Sequence, residues 1–214
     1  MTEDSDKATV EPEDQETGPA RHLPNFFTIV RFVLVFPTGW LLWHGAVADA
    51  LVLIAIAGAT DFIDGELARR FNWRTAFGAI ADPAADKLLV LVVFVVLVLQ
   101  GHVPAWLLGI VVGRDLVIVA GALAYRLVLG KYEVEPTKMS KVNTGLQIVL
   151  LLLVLLGLLG VDPVAIYAAG IADPWGFVLV GVSGVATGAH YVIVWGLRAR
   201  VELRGRRETA GTGP

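Results

Sequence analysis

Residues 59–90 read ATDFIDGELARRFNWRTAFGAIADPAADKLLV, and they set four aspartates, Asp61, Asp64, Asp82 and Asp86, at the facing ends of two strongly apolar segments. Those segments belong to a chain that is 56% hydrophobic and only 17% charged over 214 residues, with a mean hydropathy of +0.68, far from soluble-domain usage. Apolar runs recur at about 26–44, 48–68, 83–100, 104–129, 142–160 and 175–196. Each is close to the roughly 20 helical residues that cross a hydrocarbon core. They are too long and too continuously apolar for barrel strands, so the pattern predicts an all-α integral membrane bundle of six transmembrane helices.

The ends differ from this middle. Residues 1–20 hold seven acids and one base without apolar periodicity, which predicts a disordered acidic tail and not a signal peptide. The rest of the chain has 16 bases against 13 acids, a net +3. Residues 21–197 form the expected catalytic membrane domain, and 198–214 an expected disordered basic tail, its arginines suited to anionic lipid headgroups and not to nucleic acid. Without cysteine the chain has no disulfide and no thiolate metal site.

Lys and Arg fall on alternate connections. Those near 45–47, 101–103 and 161–174 have none, whereas Arg69, Arg70 and Arg74, then Lys131, Lys138 and Lys141, then Arg198 to Arg207 mark the others. The positive-inside rule therefore puts both termini, and the loops after the second and fourth spans, on the cytoplasmic side of the inner membrane. The four aspartates belong to that face.

Asp61 and Asp64 are three residues apart and Asp82 and Asp86 four apart, so each pair shares a helix face, and two successive antiparallel helices can bring the pairs together. Four carboxylates at close quarters repel unless cations separate them, and an all-oxygen donor set suits Mg²⁺ or Mn²⁺. Gly65 and Ala68 keep the adjoining turns small, Arg69 offers a fork that matches phosphate, and Gly78 opens the facing helix. Asp82 alone, before Pro83, reads as a helix cap; the set of eight does not.

That set, Asp61, Asp64, Gly65, Ala68, Arg69, Gly78, Asp82 and Asp86, matches at every spacing the signature of the CDP-alcohol phosphatidyltransferase family, which the chain resembles over roughly residues 24–196. The resemblance implies a six-helix membrane enzyme, usually a homodimer. In it an acceptor hydroxyl attacks the lipid-side phosphate of CDP-diacylglycerol and CMP leaves. It implies two divalent ions on Asp61, Asp64, Asp82 and Asp86, with Asp86 also the general base. It further implies a CDP pocket formed by the aspartates with Gly65, Ala68, Arg69 and Gly78.

Three other regions bear on the acceptor. Pro24, Asn25, Thr28 and Arg31 resemble the start of the branches that use glycerol 3-phosphate or phosphatidylglycerol. Arg31, Arg114, Lys138 and Lys141 are expected to meet the acceptor's phosphate, with snorkelling and a general positive-inside role as the plainer accounts of Arg31 and the two lysines. Asp115 is read as a neutralising neighbour of Arg114. Pro136, Thr137, Ser140, Lys141, Asn143, Thr144 and Gln147 resemble the branch that joins CDP-diacylglycerol to phosphatidylglycerol to give cardiolipin; glycerol 3-phosphate is the alternative acceptor. Intramembrane carboxylates also mark ion pathways, so a divalent-cation transporter is the reading from another class, opposed by the lack of a matching acidic series toward the other face. Gly109 with Gly113, and Gly184 with Gly188, predict close helix packing or dimer contacts. Trp40, Trp43, Trp106, Trp175 and Trp195 predict interfacial anchors.

Overall fold

The structure is a computed structural model that describes residues 23–70, 76–129 and 137–211. Within these, side chains are described for 26–63, 65–66, 81–124, 127 and 137–197. All the described elements are helical: α1 (Leu23–Trp43), α2 (Val47–Arg70), α3 (Ala76–Leu99), α4 (Ala105–Leu129), α5 (Lys138–Leu158), α6 (Val164–Ile171) and α7 (Phe177–Gly211). α1 packs on α2 and α3, α4 on α7, and α5 on α6 and α7.

Around an apolar core, the described surface exposes hydrocarbon to a degree a water-soluble protein does not, and several polar groups are buried. Phe36, Val119, Leu127, Ile166 and Val182 are all more than half exposed, whereas Thr28, Arg31, Thr38, Arg114, Asn143, Gln147 and Thr187 are buried. Polar groups inside and hydrocarbon outside is the arrangement lipid selects, because backbone and side-chain dipoles find partners only within the bundle. Segments of α1, α4, α5 and the joined α6–α7 are long and apolar enough to cross a membrane. Helices α2 and α3 have 24 residues each and carry the aspartates. The chain is thus an all-helical membrane bundle.

Boundaries differ from the sequence expectation in two places. α3 begins at Ala76 and runs through Pro83, so Asp82 lies inside the helix and is no cap. The segment 161–174 is not a bare connection. Asp162, Pro163, Asp173 and Pro174 interrupt its apolar run, yet VAIYAAGI between them forms α6, and a π-helical turn at Ala172–Gly176 carries the chain into α7.

The far end from the aspartates is closed by local bonding. Gly45 (φ 75°) ends α1 with its N–H donated to Leu42 O and that of Ala46 to Leu41 O. Gly101 (φ 79°) ends α3 in the same way on Val98 and Leu97. This paired closure of the last turn needs a left-handed residue, which glycine supplies without strain. Gln100 Nε2 then donates to Leu42 O at 3.0 Å and Trp43 O at 3.1 Å, so α3 caps the carbonyls of α1.

Close approach depends on small residues, since lipid gives helices no hydrophobic reason to associate. A methyl on Gly184 would stand 2.9 Å from Ile110, and one on Gly181 2.7 Å from the Trp106 ring, so the small stripe of α7 serves internal packing on α4. Gly109 and Gly113 meet nothing within 4 Å. Trp40, Trp43, Trp106 and Trp175 are exposed at helix ends, but Trp195 lies over Gly121 and edge-on to Tyr191 at 5.6 Å. Gly181→Ala should therefore destabilise the protein by about 1–3 kcal/mol through overpacking. Gly145→Ala, where a methyl meets nothing within 4 Å, should not, as read by thermal unfolding in detergent.

Candidate active site

α1 lies against both aspartate-bearing helices, and its inner face carries Thr28 and Arg31 three residues apart, both fully buried. Arg31 does not snorkel. Its Nη2 is 2.9 Å from Asp61 Oδ1 on α2, and its Nη1 is 3.0 Å from Asp86 Oδ1 on α3. Thr28 Oγ1 donates to Asp82 Oδ1. One turn of α1 thus engages three of the four aspartates.

The carboxylates are open on their other side. Asp61 and Asp86 side chains are 48% and 47% exposed. They line a cavity of about 610 Å³ that runs from the carboxylates along α3 and α4 to α5. Asp61 and Asp82 both stand near enough to Asp86 for their charges to act on it. Negative charge is therefore concentrated at one mouth of the cavity, with one buried guanidinium as its countercharge among the described residues.

A second polar network braces the opposite wall. Arg114 on α4 is 5% exposed, with Nη1 2.5 Å from Asp115 Oδ1 and Nη2 donating to both the side-chain and backbone oxygens of Ser140 on α5. Asp115 reaches on to Lys87 Nζ of α3 at 3.1 Å. Thr137 caps α5, its Oγ1 accepting from Ser140 N–H at 3.3 Å, while its own N–H donates to Tyr191 OH of α7 at 3.1 Å. Four helices, α3, α4, α5 and α7, are joined through these bonds.

Set against the sequence expectations, the structure brings Arg31, Asp61, Asp82 and Asp86 together. Arg114 sits behind Asp115, which lines the cavity where Arg114 does not. Lys138 and Lys141 are exposed on the first turn of α5. Gly65 is half buried, and a methyl there would meet nothing within 4 Å. Asp64, Ala68 and Arg69 lie on α2 and Gly78 on α3, with their surroundings outside the described residues. One residue and one contact escaped the sequence reading. Lys87 is a charge in an apolar run beside Asp86, a signal that an intramembrane cation gives in any sequence. The bond from Thr28 to Asp82 spans 54 residues and leaves no local trace.

The donor chemistry fits hard divalent cations, since every candidate ligand is a carboxylate oxygen. Among the described residues no group of three acids or imidazoles converges as a ligand set, and the side chain of Asp64 lies outside them. Divalent-metal dependence is general in enzymes with this signature.

Comparison with known proteins agrees with this geometry. The family model of CDP-alcohol phosphatidyltransferases matches residues 21–197. A probable CMP-forming cardiolipin synthase of Drosophila melanogaster is 33% identical over 187 residues, covering 80% of this chain and 56% of that protein. The human CMP-forming cardiolipin synthase is 33% identical over 144 residues, covering 60% and 48%. A CDP-diacylglycerol–glycerol-3-phosphate 3-phosphatidyltransferase of Rickettsia typhi is 35% identical over 141 residues, covering 64% and 78%. The chain thus spans about half the length of the two animal relatives. With its aspartates gathered at one end of a helical membrane bundle and a match over most of its length, the chain belongs to the CDP-alcohol phosphatidyltransferase family.

Proposed function

We propose that the protein transfers the phosphatidyl group of CDP-diacylglycerol to a hydroxyl of phosphatidylglycerol, forming cardiolipin and CMP. The observation that carries the choice of acceptor is the cavity beside Asp61 and Asp86: about 610 Å³, walled by Ile54, Leu88, Leu91, Val111, Leu116 and Val119 among others. A wall of hydrocarbon side chains gains nothing from a small polar acceptor and matches one that brings acyl chains. The relatives named as cardiolipin synthases support the same choice.

In this reading Asp61, Asp64, Asp82 and Asp86 hold two Mg²⁺ or Mn²⁺ ions. When bound, the ions neutralise charge on the pyrophosphate oxygens. Gly65, Ala68, Arg69 and Gly78 line the cytidine nucleotide's pocket, where the open space beside Gly65 leaves room for it. Asp86 takes the proton of the acceptor hydroxyl as its oxygen bonds to the lipid-side phosphorus. The bond from that phosphorus to the bridging oxygen breaks, CMP departs with the electron pair, and Asp86 releases its proton to water. Lys138 and Lys141 supply positive charge for the acceptor's phosphodiester. Arg31 and Arg114, both buried in ion pairs, serve the acceptor by fixing the carboxylates and the first turn of α5.

The six apolar runs support six membrane crossings, and the segregation of Lys and Arg supports cytoplasmic termini and an active site at the inner face of the inner membrane. A homodimer fits the open faces of Gly109 and Gly113. The tails 1–20 and 198–214 lie outside the catalytic domain in this reading. A second reading, glycerol 3-phosphate as acceptor, is favoured by the Rickettsia relative, which the match covers over 78% of its length.

Purified protein given CDP-diacylglycerol, Mg²⁺ or Mn²⁺, and phosphatidylglycerol should yield a lipid with four acyl chains by mass spectrometry, whereas glycerol 3-phosphate in its place should yield no lipid product. A two-chain product bearing glycerol phosphate would replace the first reading with the second. Asp86→Asn should lower turnover about 100-fold or more, the usual contribution of a general base, with the helical circular dichroism unchanged. Removing divalent ions with a chelator should abolish CMP release, and adding Mg²⁺ or Mn²⁺ should restore it.

A further inference from the structure

Two buried amides on α5 end in nitrogens that no group among the described residues satisfies: Asn143 Nδ2 and Gln147 Nε2, on residues 1% and 3% exposed. Asn143 is anchored at its other end, where Oδ1 accepts from Ser183 Oγ at 2.7 Å and ties α5 to α7. Gln147 has no such anchor among the described residues, and it lines the cavity that Asp61 and Asp86 line. An amide carries two N–H donors, and burying them unpaired is unfavourable enough that an apolar residue would be the more stable choice. The side chain makes physical sense if a ligand oxygen completes it.

Thr144, three residues earlier on the same helix, also lines this cavity. Its Oγ1 donates to Ser140 O at 3.1 Å, which leaves that oxygen as an acceptor. α5 therefore presents a donor and an acceptor to a space whose other walls are mostly aliphatic. A hydroxyl, which both accepts and donates, satisfies the two together.

We propose that Gln147 recognises the internal hydroxyl of the acceptor's glycerol headgroup, the one adjacent to the hydroxyl that attacks. Its Nε2–H donates to that oxygen and Thr144 Oγ1 accepts from it, which turns the terminal hydroxyl toward Asp86. This rests on the phosphatidylglycerol reading and adds to it a residue that selects a polyol headgroup over a simple alcohol. Gln147 forms no bond to phosphorus and moves no proton; it is a positioning residue.

The test compares phosphatidylglycerol with phosphatidyl-1,3-propanediol, which keeps the terminal hydroxyl and lacks the internal one. Both are assayed at saturating CDP-diacylglycerol on the metal-loaded full chain, in wild type, Gln147→Leu and Gln147→Asn. Wild type should favour phosphatidylglycerol by about tenfold or more in kcat/KM, as a site built to bond a hydroxyl rejects an analogue without it. In Gln147→Leu that preference should fall to within about twofold, through a raised KM for phosphatidylglycerol with the KM for CDP-diacylglycerol unchanged. Gln147→Asn should keep part of it. A second readout is independent of turnover: without acceptor, Gln147→Leu should unfold in detergent at a temperature no lower than wild type, because it removes an unpaired buried amide. Equal use of the two lipids by wild type overturns the proposal, as does a Leu variant that keeps the preference or melts lower than wild type. Cardiolipin formed without such a preference sinks this proposal alone. A wild-type enzyme that converts only glycerol 3-phosphate removes the acceptor reading and this inference with it.

Discussion

A single buried cation organises the acidic end of this protein. Placing an arginine at depth in a bilayer costs about 3 kcal/mol even by the mildest scale, and stripping a buried ion pair of one partner costs about 3–5 kcal/mol. Arg31 meets that cost by holding Asp61 and Asp86 at once, one from each of the two helices on which α1 packs. The same bonds keep two like charges from driving α2 and α3 apart. Thr28 adds a neutral hydrogen bond to Asp82, so the acidic cluster is braced from one side and open on the other. The oxygens of Asp61 and Asp86 stay half exposed toward the cavity.

The opposite wall solves a related problem with different groups. Arg114, Asp115, Lys87 and Ser140 neutralise and hydrogen-bond one another, and the Thr137 cap with Tyr191 fixes where α5 starts. A buried network of this kind is favourable only when nearly every member is satisfied. It explains why α4 and α7 approach over glycines: Gly184 admits Ile110 and Gly188 comes within ordinary contact of Arg114. Packing and charge placement are here one constraint.

Much of this was legible in the sequence, and the limits have physical reasons. Apolar runs gave the helices because lipid forbids other backbone solutions, and the three- and four-residue spacings of the aspartates put them on shared faces. Arg31 and Arg114 stood out as charges in apolar surroundings, but not their partners: 30 and 55 residues separate Arg31 from Asp61 and Asp86, and only tertiary packing decides which carboxylates it meets. Asp82 looked like a cap because Pro83 follows it, yet α3 starts six residues earlier. The prolines around α6 likewise masked a short helix, since punctuation marks where a run is interrupted and not what the interrupted piece does. Gln147 entered the sequence reading only as one of seven positions that resemble a branch, because an amide among leucines becomes informative in itself only when its missing partner can be counted.

The cavity's aliphatic wall has a consequence for how molecules reach it. Leu116 and Val119 line it and are also more than half exposed on the outside of the bundle, so the interior of the site grades into the surface that faces acyl chains. Molecules that reach it by that route arrive through two-dimensional diffusion in the leaflet. The quantity that sets their encounter rate is then mole fraction within the bilayer, and diluting the aqueous phase around the membrane leaves it untouched.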